Sequence, residues 1–578
     1  MSRGQRQAVH SAAKNWLALL ALAASAWTAG AAEPAGVAGL DGQRLAQAAA
    51  EPQNWLSYYG SQAAWSYSPL DQVNRGNVAR LAPAWAFATG STSGLTSAPV
   101  VVDGVMYLHA PRNRVFALDA TNGQLKWTYE HKLGNTDNIF EGVRGLAVAY
   151  GQVYIGTLDN HVVALDAATG LPRWSVQSVD PRQCGCNITA APLLVKDMVV
   201  VGSSGGDNKN RGYIHAFDAR TGKLRWRFWT IPAPGEPGSE TWAGDSWRFG
   251  GAAAWYTGSF DPQLNLIYWG VGNPSSDYYG GHRKGDNLYA ASLVALDADT
   301  GQLRWHYQEV PHDLYDYGAI FEPVLIDLVD EAGGARIPAV VHPNKSGYTY
   351  VLDRRDGRLL NAWSHAESIN WSGGLDPRGR PVKPLVPSTE HPTLVCPSNF
   401  GSRSVNHSAY SPRTGLWYNT SFEICGLVTV RPEVPAKEGA WWFSGSTELV
   451  RAEGHAPFIG AFDPRTGQRK WARPTDSINL SSLLATGGDL LFGGDVYGNA
   501  WALDAETGEQ LWSFPTGGAI TSSPITFSVN GRQYVALGSG AGVEASYLVP
   551  KLWPEKAHQV PRGASTLFVF ALDGNTHR

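Results

Sequence analysis

Residues 119–127 read DATNGQLKW, and this pattern of an aspartate, a glycine four positions later and a tryptophan eight positions later returns along the chain. The other strong copies begin at Asp166, Asp218, Asp297, Asp463 and Asp504. Weaker copies begin at Asp261, Asp353 and Ser411. A single copy would be only a common turn, but this repetition indicates a stack of similar supersecondary units.

Each copy predicts a tight turn between two β-strands. The strand at 115–118 ends at Asp119, whose carboxylate can accept the backbone N–H groups of the turn. Gly123 allows a backbone conformation with positive φ. Trp127 lies on the next strand, where it can fill the gap between neighbouring sheets. Two such hairpins make a four-stranded blade, so we expect an all-β propeller.

The ends of the repeat region and its longest gaps lead to two further expectations. The segments 85–87 and 568–572 are apolar and aromatic, and their pairing would close the ring and remove exposed sheet edges. The gaps around 230–248 and 364–404 are rich in Pro, Gly and Trp. They predict loops on one face of the propeller, where functional residues usually lie.

The composition gives no indication of a partner that binds through charge. Lys plus Arg is 46 and Asp plus Glu is 50, which gives a formal net charge of -4. This balance gives no reason to expect nucleic acid or an anionic membrane surface as a partner. Charged residues are only 17% of the chain, while Gly is 65 and Trp is 23, which is typical of many short strands and tight turns.

The N-terminus has the three parts of a secretory signal. Its basic residues are Arg3, Arg6 and Lys14. An apolar run at 16–27 follows, and Ala29-Gly30-Ala31 supplies small residues for cleavage. We therefore expect residues 1–32 to be a signal peptide and residues 33–578 to be a periplasmic propeller domain without a membrane span. The alternative is an uncleaved membrane anchor, although the run is short for a bilayer span.

Export would place the four cysteines in an oxidising compartment. They permit three pairings, of which we favour Cys396–Cys425, with a small Cys184–Cys186 ring as the remainder. Their spacing does not match a zinc site. No Cys-x-x-Cys-His motif occurs, so we expect no covalently attached c-type haem.

From about Trp55 to the C-terminus, the chain resembles the pyrroloquinoline quinone (PQQ)-dependent alcohol and methanol dehydrogenases. The resemblance rests on the order of four stretches between the repeats, namely Arg144-Gly145, GSSGGD at 202–207, GVGNP at 270–274 and PHDLYD at 311–316. It implies an eight-bladed β-propeller that carries PQQ and Ca²⁺. It also implies oxidation of an alcohol to an aldehyde or ketone, with electrons passed to a cytochrome c.

The resemblance also implies which residues bind the quinone. Arg144 matches the family's arginine at the edge of the ring, and Thr189 matches a threonine that hydrogen-bonds a carboxylate of PQQ. Trp255 matches the tryptophan on which the ring lies. The remaining matches are Ser204, Gly205 and Gly206 in a close-approach loop, and Lys345 where methanol enzymes have arginine. A cation near the quinone oxygens stabilises negative charge during reduction.

The metal ligands follow from the same resemblance. Asp207, Asn273 and Asp316 match the family's glutamate, asparagine and catalytic aspartate, and oxygen ligands suit a hard cation. Asp207 is one methylene shorter than the family's glutamate. Asp316 is predicted to be the base that accepts the alcohol proton, with Asp313 as a rival that we interpret as a turn residue. Lanthanide-dependent relatives have a second carboxylate where this chain has Gly318, so the sequence predicts Ca²⁺.

Other interpretations remain open for these residues and for the chain. Arg144 could form an ion pair between blades, and Trp255 could be another packing tryptophan. Asn273 could be a turn residue before Pro274. A cofactor-free propeller scaffold of the outer-membrane assembly type would share the repeats. A quinoprotein acting on a polymeric or cyclic alcohol would share the site. The family's adjacent cysteine pair corresponds to Asn138-Ile139, so Cys184–Cys186 could cover the quinone instead.

Overall fold

The computed structural model describes residues 37–134, 142–329, 334–432 and 435–574. The predicted signal peptide and the Asn138-Ile139 pair lie outside these ranges. The described residues form an all-β structure with a few short helices, as the repeat predicts. In these ranges no helix is long and apolar enough to cross a membrane.

The secondary structure consists mainly of short strands. The strands are β1 (Tyr67–Ser68), β2 (Leu81–Ala88), β3 (Val100–Val102), β4 (Val105–Ala110), β5 (Arg114–Asp119), β6 (Leu125–Glu130), β7 (Ala147–Ala149), β8 (Gln152–Gly156), β9 (His161–Asp166), β10 (Pro172–Gln177), β11 (Leu193–Val195), β12 (Met198–Gly202), β13 (Tyr213–Asp218), β14 (Leu224–Trp229), β15 (Ser259–Asp261), β16 (Leu266–Gly270), β17 (Ser292–Asp297), β18 (Leu303–Gln308), β19 (Val324–Val329), β20 (Arg336–Pro343), β21 (Tyr348–Asp353), β22 (Leu359–Ser364), β23 (Thr393–Val395), β24 (Ala409–Ser411), β25 (Leu416–Ser421), β26 (Ile424–Val430), β27 (Gly445–Arg451), β28 (Phe458–Phe462), β29 (Arg469–Pro474), β30 (Leu484–Thr486), β31 (Leu490–Gly494), β32 (Asn499–Asp504), β33 (Gln510–Pro515), β34 (Ile525–Val529), β35 (Arg532–Ser539) and β36 (Thr566–Leu572). The α-helices are α1 (Gly42–Ala46), α2 (Pro181–Cys184) and α3 (Val543–Leu552). Short 3₁₀ helices lie at Val37–Gly39, Ala48–Ala50, Val78–Arg80, Pro111–Asn113, Ser239–Thr241, Ser246–Arg248 and Pro554–Gln559.

Within the described ranges, the strands form eight sheets of four or five strands and one of three. Most of the large sheets are simple antiparallel meanders, such as β3-β4-β5-β6 and β11-β12-β13-β14. The strand β1 adds in parallel to the edge of the β30–β33 sheet. Strands in the middle of the sheets are mostly buried, and β8 and β12 are buried along their whole length. A last strand such as β10 alternates between exposed and half-buried residues. These sheets have the architecture of a β-propeller.

The repeated turn has the predicted geometry. The Asp119 carboxylate accepts the Thr121 backbone N–H at 3.0 Å, and Gly123 has a φ of 74°. Trp127 donates its indole N–H to the Ala167 carbonyl of the next sheet at 3.0 Å. A Cβ atom added at Gly170 would lie 2.6 Å from the Trp127 ring. The glycine of one sheet is therefore needed both for the turn and for packing against the tryptophan of the preceding sheet.

The predicted pairing of the two terminal segments is confirmed. The strand β2 pairs antiparallel with β36, so that Trp85 lies opposite Val569 and Ala86 opposite Phe568. The N-terminal strand thus completes a sheet whose other three strands come from the C-terminus. This pairing ties the two ends of the described chain together and leaves fewer unpaired strand edges.

The two longest insertions differ in structure. The insertion at 230–248 forms loops with two 3₁₀ turns, as predicted. The insertion at 364–404 is not only loop, because its strand β23 joins β26 and β27 in the three-stranded sheet. The favoured Cys396–Cys425 disulfide links the end of β23 to β26, and Cys184–Cys186 is also bonded. The short apolar stretch of β23 before Cys396 could equally have been part of a loop, so the sequence alone did not predict that it pairs with β26.

Replacing Cys396 and Cys425 together with serine is expected to lower the free energy of unfolding by roughly 3–4 kcal/mol. The bond closes a segment with a sequence separation of 29, so its loss increases the entropy of the unfolded chain. Denaturant unfolding of the exported protein measures the effect. The matched control is the Cys184/Cys186 double serine variant, whose separation of 2 predicts a smaller loss. Mass spectrometry that finds Cys396 and Cys425 as free thiols would contradict the pairing.

Candidate functional site

The predicted site residues all lie in loops at the same end of their sheets. In an antiparallel meander the loop before the first strand and the loop between the second and third strands lie at one end of the sheet. Residues of the first kind of loop are Arg144, Thr189, Trp255 and Asp316. Residues of the second kind are Ser204, Gly205, Gly206, Asp207, Asn273 and Lys345. Topology therefore brings together residues that are about 200 positions apart along the chain.

Arg144, Thr189 and Trp255 form one group. The Arg144 guanidinium donates to the Thr189 hydroxyl at 2.9 Å and lies 4.7 Å from the centre of the Trp255 ring. The Arg144 Nε atom is buried and has no hydrogen-bond partner among the described residues. No carboxylate of the described residues pairs with Arg144, so the alternative of an ion pair between blades finds no support. A stacked cation with a free donor fits an anionic, planar ligand such as PQQ.

The Ser204–Gly206 loop packs against the turn that carries the small disulfide. The Ser204 backbone N–H donates to the Asn187 carbonyl at 2.8 Å. Gly205 has a φ of 86°, and a Cβ there would lie 3.0 Å from the Gly185 carbonyl oxygen. The close approach of the protein's own backbone thus requires glycine here. The Cys184–Cys186 bridge lies beside this loop, and its role in covering a quinone stays a prediction.

Three buried or half-buried carboxylates lie close together, and two of them contact Asn273. One ligand oxygen from each of Asp207, Asp277 and Asp316 lies within 4.8 Å of the others. The Asn273 amide donates to Asp207 at 3.1 Å and to Asp277 at 2.9 Å. Oxygen ligands of Ca²⁺ lie about 2.3–2.6 Å from the ion, so oxygens on opposite sides are roughly 5 Å apart. A single ion of this size therefore fits between the three carboxylates.

Asp277 belongs to the carboxylate cluster although no sequence motif predicts it. It lies four residues after Asn273 in the stretch NPSSD. An acidic residue in the same loop as a predicted metal ligand is the one sequence feature that could have indicated its role. Loops have no hydrophobic periodicity, however, and the direction of a loop side chain depends on tertiary contacts. Burial, with the charges of Asp207 and Asp316 next, raises the pKa of Asp277 well above its usual range.

Lys345 is paired with the predicted base. Its ammonium lies 2.9 Å from the Asp316 carboxylate and also donates to the Asn399 carbonyl at 3.0 Å. Burial raises the pKa of Asp316 to about 8, an effect that Lys345 opposes and Asp207 reinforces. Burial lowers the pKa of the Lys345 ammonium, but Asp316, together with Asp207 and Asp277, outweighs burial and raises this pKa above its ordinary value. Asp316 has a φ of 63°, a left-handed conformation that Asp tolerates and that is frequent at functional sites.

Asp313 has a different role. Its two carboxylate oxygens accept the backbone N–H groups of Tyr315 at 2.8 Å and of Tyr317 at 2.7 Å. Burial raises its pKa to about 6. Because both oxygens are used by the turn that carries Asp316, this geometry supports the interpretation of Asp313 as a turn residue.

Gly318 has no room for a side chain. A Cβ added there would lie 2.8 Å from the Asn273 backbone nitrogen and 2.8 Å from Gly272 Cα. A carboxylate at this position would require the backbone to move. The third carboxylate of the cluster comes instead from the loop of Asn273.

Comparisons with known proteins agree with this geometry. A family model described as "Glucose/ethanol/alcohol dehydrogenase, beta-propeller domain" matches residues 55–365, and one described as "Outer membrane protein assembly factor BamB" matches only residues 458–545. The chain is 35% identical to the quinohemoprotein alcohol dehydrogenase ADH-IIG of Pseudomonas putida, over 87% of this chain and 75% of that protein. It is 34% identical to the quinohemoprotein alcohol dehydrogenase of Comamonas testosteroni, over 90% and 77%.

A solved structure titled europium-containing methanol dehydrogenase superposes with a TM-score of 0.85 at 32% identity, covering 92% of this chain and 100% of that one. Identity at this level over most of both chains extends the likeness from the fold to the family. The chain therefore belongs to the PQQ-dependent quinoprotein alcohol dehydrogenases, and it is an alcohol dehydrogenase.

Proposed function

We propose that this protein oxidises an alcohol to an aldehyde or ketone with PQQ and one metal ion, and that Asp316 is the catalytic base. The observation that carries the proposal is the cluster of Asp207, Asp277 and Asp316, in which Lys345 pairs with Asp316. This carboxylate cluster lies next to the Arg144–Trp255 stack, because the loops that carry the two groups are hydrogen-bonded. The backbone N–H of Gly272, next to Asn273, donates to the carbonyl of Ala253, two residues before Trp255, at 2.8 Å.

The quinone-binding group is Arg144, Thr189, the Ser204–Gly206 loop, Trp255 and Lys345. When bound, PQQ accepts two electrons from the substrate and the metal acts as a Lewis acid. Arg144 and Thr189 offer donors to the carboxylates of PQQ, and Trp255 offers an apolar face. Lys345 places a cation where negative charge develops during the reaction.

Asp316 holds the proton that leaves the alcohol. Burial raises the pKa of Asp316 to about 8, so the carboxylate, once ionised, is a stronger base than an exposed aspartate. Lys345 opposes this rise in pKa, which favours the ionised carboxylate, and it orients Asp316 through the contact at 2.9 Å. The carbonyl of Asn399 in turn holds the ammonium of Lys345 at 3.0 Å.

The metal is proposed to bind Asp207, Asn273 and Asp316, because these supply only oxygen ligands and therefore suit a hard cation. Two carboxylates, as counted from the sequence, match Ca²⁺. The europium-containing methanol dehydrogenase carries a lanthanide on a similar fold. Whether the third carboxylate, Asp277, also binds the metal therefore bears on the choice between Ca²⁺ and a lanthanide ion.

We also propose that the eight large sheets are the blades of one ring. Successive tryptophans pack on the glycine of the next repeat, in the pairs Trp85 with Gly123, Trp127 with Gly170, Trp174 with Gly222, Trp226 with Gly301, Trp305 with Gly357, Trp363 with Gly467 and Trp471 with Gly508. Trp512 then donates to the Leu81 carbonyl of the β2 sheet at 2.8 Å. This chain of contacts returns to its starting sheet, which supports eight blades.

The remaining parts of the proposal follow from the family and the N-terminal sequence. Residues 1–32 are proposed to direct export, residues 33–578 to form the periplasmic enzyme, and a cytochrome c to accept the electrons. A dye-linked activity screen over simple, cyclic and polymeric alcohols identifies the substrate class. If only cyclic or polymeric alcohols are oxidised, the substrate belongs to that class and not to the simple alcohols.

Replacing Arg144 with methionine is expected to weaken PQQ binding by about 10- to 100-fold, because a charge-assisted hydrogen bond is lost. Quenching of tryptophan fluorescence by PQQ measures the affinity. The matched control is Arg220→Met, because Arg220 lies 4.6 Å over the Tyr150 ring in a blade turn, away from the site. Wild-type protein that shows no saturable PQQ binding would overturn the proposal and favour a cofactor-free scaffold.

A further inference from the structure

Asp277 has no role in the site as proposed so far. We infer that Asp277 is a fourth protein ligand of the metal, and that its charge makes the site selective for a trivalent ion of the lanthanide class over Ca²⁺. This inference rests on the proposed function, because it concerns the metal that serves the same site. It adds a ligand from a position that the family resemblance did not supply.

The Asp277 carboxylate lies beside those of Asp207 and Asp316. One of its oxygens belongs to the set in which Asp207, Asp277 and Asp316 lie within 4.8 Å of one another. The Asn273 amide contacts both Asp207 and Asp277, so the two carboxylates face the same point. An ion bound by Asp207 and Asp316 is therefore within reach of Asp277.

The other oxygen of Asp277 has no hydrogen-bond partner among the described residues. The residue is only 1% exposed, and its Oδ2 atom has no hydrogen-bond donor among the described residues. The nearby buried cation Arg283 donates to the carbonyls of Ser276 and Asp313 instead. Lys345 is directed at Asp316. A buried carboxylate oxygen without a donor is costly unless a cation binds it.

The charge that the cluster can supply also favours a trivalent ion. When ionised around a bound cation, Asp207, Asp277 and Asp316 would together supply three negative charges, of which Lys345 balances one through Asp316. Each additional carboxylate strengthens the attraction for a cation in proportion to the charge of that cation. The affinity and selectivity of oxygen sites are set by the number of charged ligands and by cavity size. Three carboxylates therefore favour a trivalent over a divalent ion of similar radius.

Gly318 explains why this carboxylate comes from another loop. Position 318 is closed by the backbone of Gly272 and Asn273, since atoms of both residues would lie 2.8 Å from a Cβ atom there. Asp277 reaches the cluster from the loop of Asn273, four residues further along the chain. The chain thus supplies a third negative charge without a side chain at position 318.

The test is a metal titration of the PQQ-loaded protein with Tb³⁺ and with Ca²⁺. Tb³⁺ luminescence and calorimetry report binding directly, without activity. Wild type is expected to bind Tb³⁺ about 100-fold or more tightly than Ca²⁺. In Asp277→Asn the Tb³⁺-to-Ca²⁺ affinity ratio is expected to fall about tenfold or more, because asparagine keeps an oxygen ligand but removes the charge. The matched control is Asp286→Asn, since Asp286 is an exposed carboxylate paired with Arg380.

Two results would overturn the inference. One is a wild-type protein that binds Ca²⁺ as tightly as Tb³⁺. The other is an unchanged affinity ratio in Asp277→Asn, with PQQ still bound. Both would leave the proposed alcohol oxidation standing. Failure of the proposed function is distinguishable, because it would show as absent PQQ binding while Tb³⁺ luminescence still reports the carboxylate cluster.

Discussion

Asp316→Asn is expected to lower kcat by about 10²- to 10⁴-fold, the range that a positioned general base contributes. The amide cannot accept the alcohol proton, whereas its size preserves the packing of the loop. Lys345 would lose its ionic partner and keep its bond to the Asn399 carbonyl. Steady-state kinetics with saturating PQQ and metal measure the loss, and the visible spectrum of bound PQQ verifies that the site is loaded.

The control for Asp316→Asn is Asp313→Asn, three residues earlier in the same loop. Asparagine there loses one of the two bonds to the backbone N–H groups of Tyr315 and Tyr317. We expect lower thermal stability but a kcat within about tenfold of wild type, since the effect is indirect. Near wild-type turnover of loaded Asp316→Asn would show that Asp316 is not the base. A complete loss in Asp313→Asn with the fold intact would assign that role to Asp313.

Glu322→Gln is expected to lower the free energy of unfolding by about 3–5 kcal/mol, because it leaves a buried cation without its partner. Glu322 and Arg403 are both 0% exposed, and the Arg403 guanidinium lies 2.9 and 3.1 Å from the two carboxylate oxygens. Glu322 also accepts the Ser408 backbone N–H at 2.8 Å. The pair connects the segment after Asp316 to the loop that contacts Lys345, so activity is expected to fall with stability.

The pH dependence of this effect has a definite sign. Burial alone would raise the pKa of Glu322, but Arg403, His407 and the hydrogen bonds from Ser408 together outweigh burial and hold this pKa below its ordinary value of 4.5. A carboxylate with a lowered folded-state pKa stabilises the fold above its unfolded-state pKa and loses this contribution as the pH falls. The difference in stability between wild type and Glu322→Gln is therefore expected to be full near pH 7 and to shrink below about pH 4.

Denaturant unfolding at several pH values measures both expectations. The matched control is Glu555→Gln, which removes one carboxylate from the exposed pair of Arg451 and Glu555. Exposed ion pairs contribute little to the free energy of unfolding, so this variant is expected to unfold like wild type. Equal stability of Glu322→Gln and wild type near pH 7 would mean that the buried pair does not stabilise the fold.

The sequence by itself determined the architecture of this protein. The spacing of Asp119, Gly123 and Trp127 recurs, and each position has a local physical reason: a turn acceptor, a positive φ and an aromatic filler. Because the repeat depends on local turns and on contacts between adjacent units, it is readable without coordinates. The pairing of 85–87 with 568–572 was predictable for the same reason, since a repeat of this kind must hide its edges.

The tertiary structure alone decided the composition of the site. Arg144, Thr189 and Trp255 were named from a resemblance, but their mutual contacts depend on three different loops. Asp277 was not named at all, although it lies four residues from Asn273. Side chains in loops have no periodicity that shows which way they point, so their direction depends on packing between blades.

The consequence is clearest for the metal. Counting carboxylates along the sequence gives two and predicts Ca²⁺, whereas the folded chain brings Asp277 to Asp207 and Asp316 and makes the count three. The same folding closes position 318 with the backbone of Gly272 and Asn273. The electrostatic potential at a metal site depends on the distance of every nearby charge, including charges on residues far apart in sequence. Only the folded structure supplies these distances.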